Sequence, residues 1–185
     1  MLTRPLDILV LADIHFVGAA AHVCPDPIRH CRLGQMLARK ALWRLKHLGI
    51  MPGLIIVLGD LVDDGDKPGA EADLTALAGE LLKTGIPVLA VPGNHDGDPD
   101  RVARIFGCAP GVHLVDDYAF LLFHDRRLTG EVCERPADQL DLPARAASAH
   151  PGRPLIALQH HPHDPPIPPA TAGWGRCWRA RRCGD

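Results

Sequence analysis

Four short polar clusters in this chain each begin where an apolar run stops. They are Asp13-Ile14-His15, Gly59-Asp60 with Asp63 and Asp64, Asn94-His95-Asp96, and His160-His161. Their side chains are carboxylates, imidazoles and a carboxamide, the ligands of hard or borderline divalent metals such as Mn, Fe and Zn. No thiolate set is indicated. Residues i and i+2 at a strand end turn to the same side, so Asp13 and His15 can hold one ion together. Asp60 is the natural carboxylate to bridge to a second ion, and the amide oxygen of Asn94 can complete that second position. Two ions roughly 3.5–4 Å apart clamp a phosphoryl group and lower the pKa of a bridging water.

Each of these residues also has a plainer reading. Asp13 and Asp60 could cap or turn the chain. Asn94 could fill a turn position, but Pro92-Gly93 already supplies that turn. Asp64, Asp66, Asp98 and Asp100 read as solvated loop acids, and Asp96 falls between the two cases. Alternation directs only one of His160 and His161 to the site. His124-Asp125 ends a strand elsewhere on the sheet and reads as structural, and His22, His30, His47, His113 and His150 read as surface residues.

The elements that must position these clusters follow from the apolar pattern. Residues 6–12 (LDILVLA), 53–60 (GLIIVLGD) and the stretch ending in LAV at 91 are short, β-rich apolar runs, as in strands covered on both faces. Between them, Leu33, Leu37, Ala41, Leu45 and Leu48 form a helical stripe over residues 29–47, and Leu74, Leu77, Ala78, Leu81 and Leu82 another over 71–84. Gly49 and Gly85 stop them. Strand–helix–strand–helix–strand predicts a parallel sheet. A short helix is predicted at 100–106, a strand pair joined at Asp116-Asp117, a helix around 137–149, and a last buried strand over 154–161. In an open α/β sheet ligands bind outside the carboxyl ends of the strands, so the four clusters would converge on one crevice.

With the motifs in place, a family resemblance becomes specific. Asp13-x-His15, Gly59-Asp60-x-x-Asp63 and Gly93-Asn94-His95-Asp96 resemble, in order and each after a strand, the first three motifs of the calcineurin-like metallophosphoesterases. His160-His161-Pro162 resembles the next, with His163 in place of a second proline. The stretch LLFHDRRLTGEV with Gln139-Leu140 is similar to the cyclic-nucleotide-phosphodiesterase-like branch. The resemblance covers about residues 6–164 and implies an α/β fold, a β-sheet sandwich flanked by helices. It implies Asp13, His15 and Asp60 as ligands of one metal, and Asp60, Asn94 and His160 as ligands of the other. His95 would contact the phosphate or protonate the leaving oxygen, with Asp63 as the carboxylate that orients it. The implied activity is hydrolysis of a phosphomonoester or phosphodiester by a hydroxide activated between two divalent ions.

The family's further Gly-His-x-His motif does not occur after residue 161. The expectation is therefore a sandwich truncated at its C-terminal end: an incomplete phosphoesterase domain over 1–164 and a Pro- and Arg-rich disordered tail over 165–185. Each metal would lose one protein ligand, and an exposed sheet edge could pair with another chain. The alternative is a non-catalytic relative that binds metal or a phosphorylated ligand.

Composition bounds the rest. A net charge of −2 over 185 residues argues against a broad nucleic-acid footprint or a polybasic membrane anchor. No apolar run approaches the ~20 residues of a membrane span. The six cysteines form no Cys-x-x-Cys pair, so a reduced, cytoplasmic setting is expected; the family resemblance implies a small phosphorylated substrate.

Overall fold

The computed structural model describes residues 4–18, 28–129 and 132–161. The tail at 165–185 and His163 lie outside them. Three parallel strands, β1 (Ile8–Ala12), β2 (Leu54–Leu58) and β3 (Val88–Val91), form the first sheet in that order. Leu54, Ile55, Ile56 and Val57 are buried, because the central strand is covered on both faces. That is why β2 reads as an unbroken apolar run rather than an alternating one.

Two helices cross between these strands. The first, α1 (Gly34–His47), begins later than its periodicity predicts, after a single 3-10 turn at Cys31–Leu33. The second, α2 (Ala70–Leu82), buries Leu74, Leu77, Ala78 and Leu81 on one face. A third, α3 (Pro99–Phe106), starts at the expected place. Asp98 caps it by accepting from the Asp100 N–H, proline sits in its first turn, and Gly107 closes it at φ +70°.

The second sheet has the order β4 (Gly111–Val115), β5 (Tyr118–Leu122), β8 (Leu155–Leu158), with β4 antiparallel and β8 parallel to β5. Alternation along β5 decides the packing. Phe120 and Leu122 join the core shared with the first sheet, whereas Leu121 and the following Phe123 pack on the other side with Leu142 and Ala146 of α4 (Leu142–Ala149). The result is the expected α/β sandwich with helices outside. The helix predicted around 137–149 is split into a 3-10 turn at Ala137–Gln139 and α4. Pro143 explains the break, since a proline lacking its N–H is tolerated only in a first turn. A small antiparallel ribbon, β6 (Arg126–Thr129) with β7 (Val132–Glu134), fills a stretch whose pattern predicts no element.

Candidate metal centre

Past the ends of β1 and β2 the chain makes two turns that lock onto each other. The N–H groups of Asp13, His15 and Phe16 donate to the carbonyls of Gly59, Asp60 and Leu61 at 3.2, 2.8 and 2.9 Å. Asp13, His15 and Asp60 adopt left-handed backbone, with φ of +52°, +44° and +50°. Such a conformation costs a non-glycine residue on the order of 1–2 kcal/mol. Here it aims three polar side chains into the space between the turns. The glycines of the motifs have a steric task. A Cβ on Gly59 would lie 2.3 Å from Nδ1 of His160, and one on Gly93 would lie 2.2 Å from Oδ1 of Asp60. The backbone of each approaches a site residue too closely for any side chain.

Asp60 is the hub. It is buried, and its two carboxylate oxygens face opposite ways. Oδ2 lies 3.5 Å from Nε2 of His15, and Oδ1 lies 3.4 Å from Nε2 of His160. Oδ1 also accepts the backbone N–H of His95 at 3.0 Å. Burial alone would raise its pKa, but the hydrogen bond and charge of His160, with the His95 N–H, hold it below the ordinary carboxylate value. For His160, burial pulls downward, and the Asp60 hydrogen bond and charge overcome it and carry the imidazole up to about 9. Its Nδ1 meets the Leu58 carbonyl at 2.9 Å, which fixes a proton there and points Nε2 at Asp60. Burial lowers the pKa of His15, against the pull of Asp60.

Asp13, His15 and Asp60 bring one ligand atom each to within 4.8 Å of one another. So do His15, Asp63 and His95. His15 Nδ1 is buried and has no hydrogen-bond partner among the described residues. A buried, orphaned imidazole nitrogen amid carboxylates fits a cation, which would satisfy the nitrogen and neutralise the converging acids.

Asp63 differs from its expected use. Nδ1 of His95 meets the main-chain carbonyl of Asp63 at 2.5 Å, not its carboxylate. The carboxylate is buried and turned to Arg29, Cys31 and His15 at 3.4, 3.5 and 3.8 Å. His95 is therefore oriented by backbone. The carbonyl can only accept, so the proton on Nδ1 is fixed and Nε2 is the nitrogen left for chemistry.

The expectation that only one histidine of the pair faces inward does not hold. The strand ends at Leu158, so alternation no longer governs residues 160 and 161. His160 reaches Asp60, and Nε2 of His161 lies 3.3 Å from Oδ1 of Asn94. Asp125 also differs: it lies beside the site, with Oδ2 3.6 Å from Nδ1 of His161. Its place directly past a buried strand was the signal for it, the same one that marks the other clusters. Asn94 is buried, and its carbonyl accepts from Arg127 at 3.0 Å.

Asp96 is a tie rather than a ligand. It is fully buried, and its carboxylate accepts from the N–H groups of Leu61, Val62 and Gly93 at 2.7, 3.0 and 2.7 Å. It therefore binds the loop after β2 to the turn after β3. Burial pushes its carboxyl up to about 7 against those three donors.

Fold and site together define an α/β sandwich with a carboxylate–imidazole centre at its strand ends. The chain belongs to the calcineurin-like phosphoesterase family, whose model matches residues 6–181. Among relatives, it is 29% identical over 118 residues to a protein of Synechococcus sp. described as a probable cyclic nucleotide phosphodiesterase. That match covers 60% of this chain and 43% of the relative, so the chain spans under half of that protein's length. Among solved structures, a dimetal phosphatase from Danio rerio shares the fold at a TM-score of 0.50 and 15% identity, over 78% of this chain and 52% of that one.

Proposed function

We propose that this chain is a metal-dependent phosphoesterase that hydrolyses a phosphomonoester or phosphodiester at the centre around Asp60. The observation that carries the reading is the orientation of the Asp60 carboxylate, which turns one oxygen to His15 and the other to His160. A carboxylate so placed serves two neighbouring cation positions at once. Asp13, His15 and Asp60 would hold one ion, and Asp60, Asn94 and His160 the other. Bound there, two divalent ions such as Mn, Fe or Zn would supply charge neutralisation for the phosphoryl oxygens and an acidified water.

The chain's own residues supply the rest. His160, pinned by the Leu58 carbonyl, keeps Nε2 aimed inward. His95 is half-buried, with Nδ1 held at the Asp63 carbonyl, so Nε2 can carry a proton toward the leaving oxygen. Asp60 links the two by accepting the His95 N–H. The name of the Synechococcus relative makes a small phosphodiester, such as a cyclic nucleotide, the first substrate to try.

The test uses metal-stripped protein with added manganese and bis(p-nitrophenyl) phosphate, alongside Asp60→Asn. Hydrolysis that needs metal and falls at least 100-fold in the variant is expected. Equal background rates for both proteins would reject catalysis and leave a chain that only binds.

A further inference from the structure

The peptide unit that joins Asn94 to His95 is held at both of its polar ends. Its N–H donates to Oδ1 of Asp60 at 3.0 Å. Its carbonyl accepts from Nη1 of Arg127 at 3.0 Å. A trans peptide is a rigid plate whose C=O and N–H point in opposite directions. The Asn94 side chain leaves from one end of this plate and the His95 ring from the other. The rotation of the plate therefore sets the aim of both side chains, together with the grip on Asp60.

The hold on the carbonyl comes from outside the loops that carry the site. Arg127 lies on β6, opposite Cys133 of β7. Its other terminal nitrogen, Nη2, meets Oδ2 of Asp66 at 2.5 Å. Asp66 belongs to the loop after β2 and Asn94 to the turn after β3. One planar guanidinium thus spans the two segments, with a separate N–H for each, a fork that a lysine ammonium does not offer. Deeper in, the Asp96 carboxylate ties the same segments, and the Gly65 N–H donates to the His95 carbonyl at 2.6 Å. Those bonds hold the backbone beside the plate, whereas Arg127 bonds the plate itself.

The Arg127 and Asp66 side chains are 39% and 59% exposed, and ion pairs so open to water contribute little to stability. The effect of the pair is to keep the guanidinium against the Asn94 carbonyl. Hydrogen bonds in a row also polarise one another. A cation on the carbonyl makes the N–H of the same peptide a stronger donor, so the charge of Arg127 is felt at the Asp60 carboxylate through the plate.

We propose that Arg127 is a positioning residue: it sets the Asn94–His95 peptide plane, and through it the aim of Asn94, His95 and Oδ1 of Asp60. This role rests on the phosphoesterase reading above and adds to it a residue that acts through the backbone.

The test compares Arg127→Met with Arg126→Met, the adjacent arginine of β6. In the metal-free full chain, amide hydrogen exchange followed by NMR should find the His95 N–H protected in wild type and in Arg126→Met. In Arg127→Met it should exchange about tenfold faster or more. With manganese and bis(p-nitrophenyl) phosphate, kcat should fall about 10–100-fold in Arg127→Met, with KM changed by less than about threefold. Arg127→Lys should recover only part of the rate, because the ammonium does not present the same fork to both acceptors. A His95 amide that exchanges in wild type as fast as an open loop would overturn the proposal without any variant, and so would equal exchange in wild type and Arg127→Met. A raised KM with kcat unchanged would overturn it in favour of direct contact with substrate. No hydrolysis by wild type would reject the phosphoesterase reading, while a faster His95 amide in Arg127→Met would still support the hold on the plane.

Discussion

Gly93→Ala is a one-carbon change that tests the whole arrangement. A Cβ at residue 93 would sit 2.2 Å from Oδ1 of Asp60 and 2.4 Å from its backbone nitrogen, where ordinary contact begins at 3.4 Å. Asp60 or the turn must therefore retreat by roughly 1 Å. Overpacking of this kind costs typically about 1–3 kcal/mol, which in a chain of this size is a loss of roughly 2–12 °C in Tm. The larger consequence is chemical. Asp60 faces both His15 and His160, and a 1 Å misplacement of a catalytic group costs on the order of 100-fold in rate. Gly79→Ala in α2 is the matched control, since nothing lies within 4 Å of its Cβ position. It should be neutral or add about 0.5–1 kcal/mol. Thermal melts of metal-free protein, manganese calorimetry and hydrolysis of bis(p-nitrophenyl) phosphate read the three effects. A Gly93→Ala protein that binds manganese and turns over like wild type would refute the reasoning, because Asp60 would then not be held where the chemistry occurs.

Asp96→Ala strands three buried backbone donors at about 1–3 kcal/mol each, so urea titration should show a loss of about 3 kcal/mol or more. A loss under 1 kcal/mol would mean that the tie is dispensable. Saturating manganese, at about 100 times its Kd, should stabilise wild type by about 2.7 kcal/mol, and a similar rise in Tm for Asp60→Asn would contradict the shared-ligand role. His124 is buried, and burial takes its pKa down to about 4, against the opposing Asp100 and Asp125 carboxylates. The unfolded chain binds that proton near pH 6.5 and the folded chain only near 4. This group therefore withdraws stability as pH falls through that window, by about 3 kcal/mol in all. His124→Leu should flatten that slope in denaturant titrations between pH 7 and 4.5, and an unchanged slope would assign it to other groups.

The amino-acid sequence by itself determined β2 and β3, because a strand covered on both faces must be apolar throughout; β1 is an apolar run too, although its Val10 is exposed. It also determined the four clusters, since a polar residue directly after such a strand has one edge of the sheet to occupy. That the glycines at 59 and 93 stand where the backbone comes too close for a side chain is visible only in the structure. Only the tertiary structure decided which atoms meet. His161 joined His160 because the strand ends at Leu158 and the period of two lapses there. The carbonyl of Asp63, not its carboxylate, met His95, since Arg29 and Cys31 claim the carboxylate from another part of the chain. Asp125, Arg127 and Asp96 took their places through contacts between residues far apart in sequence. A local pattern carries which face a residue takes; which partner it finds there is set by how the two sheets pack.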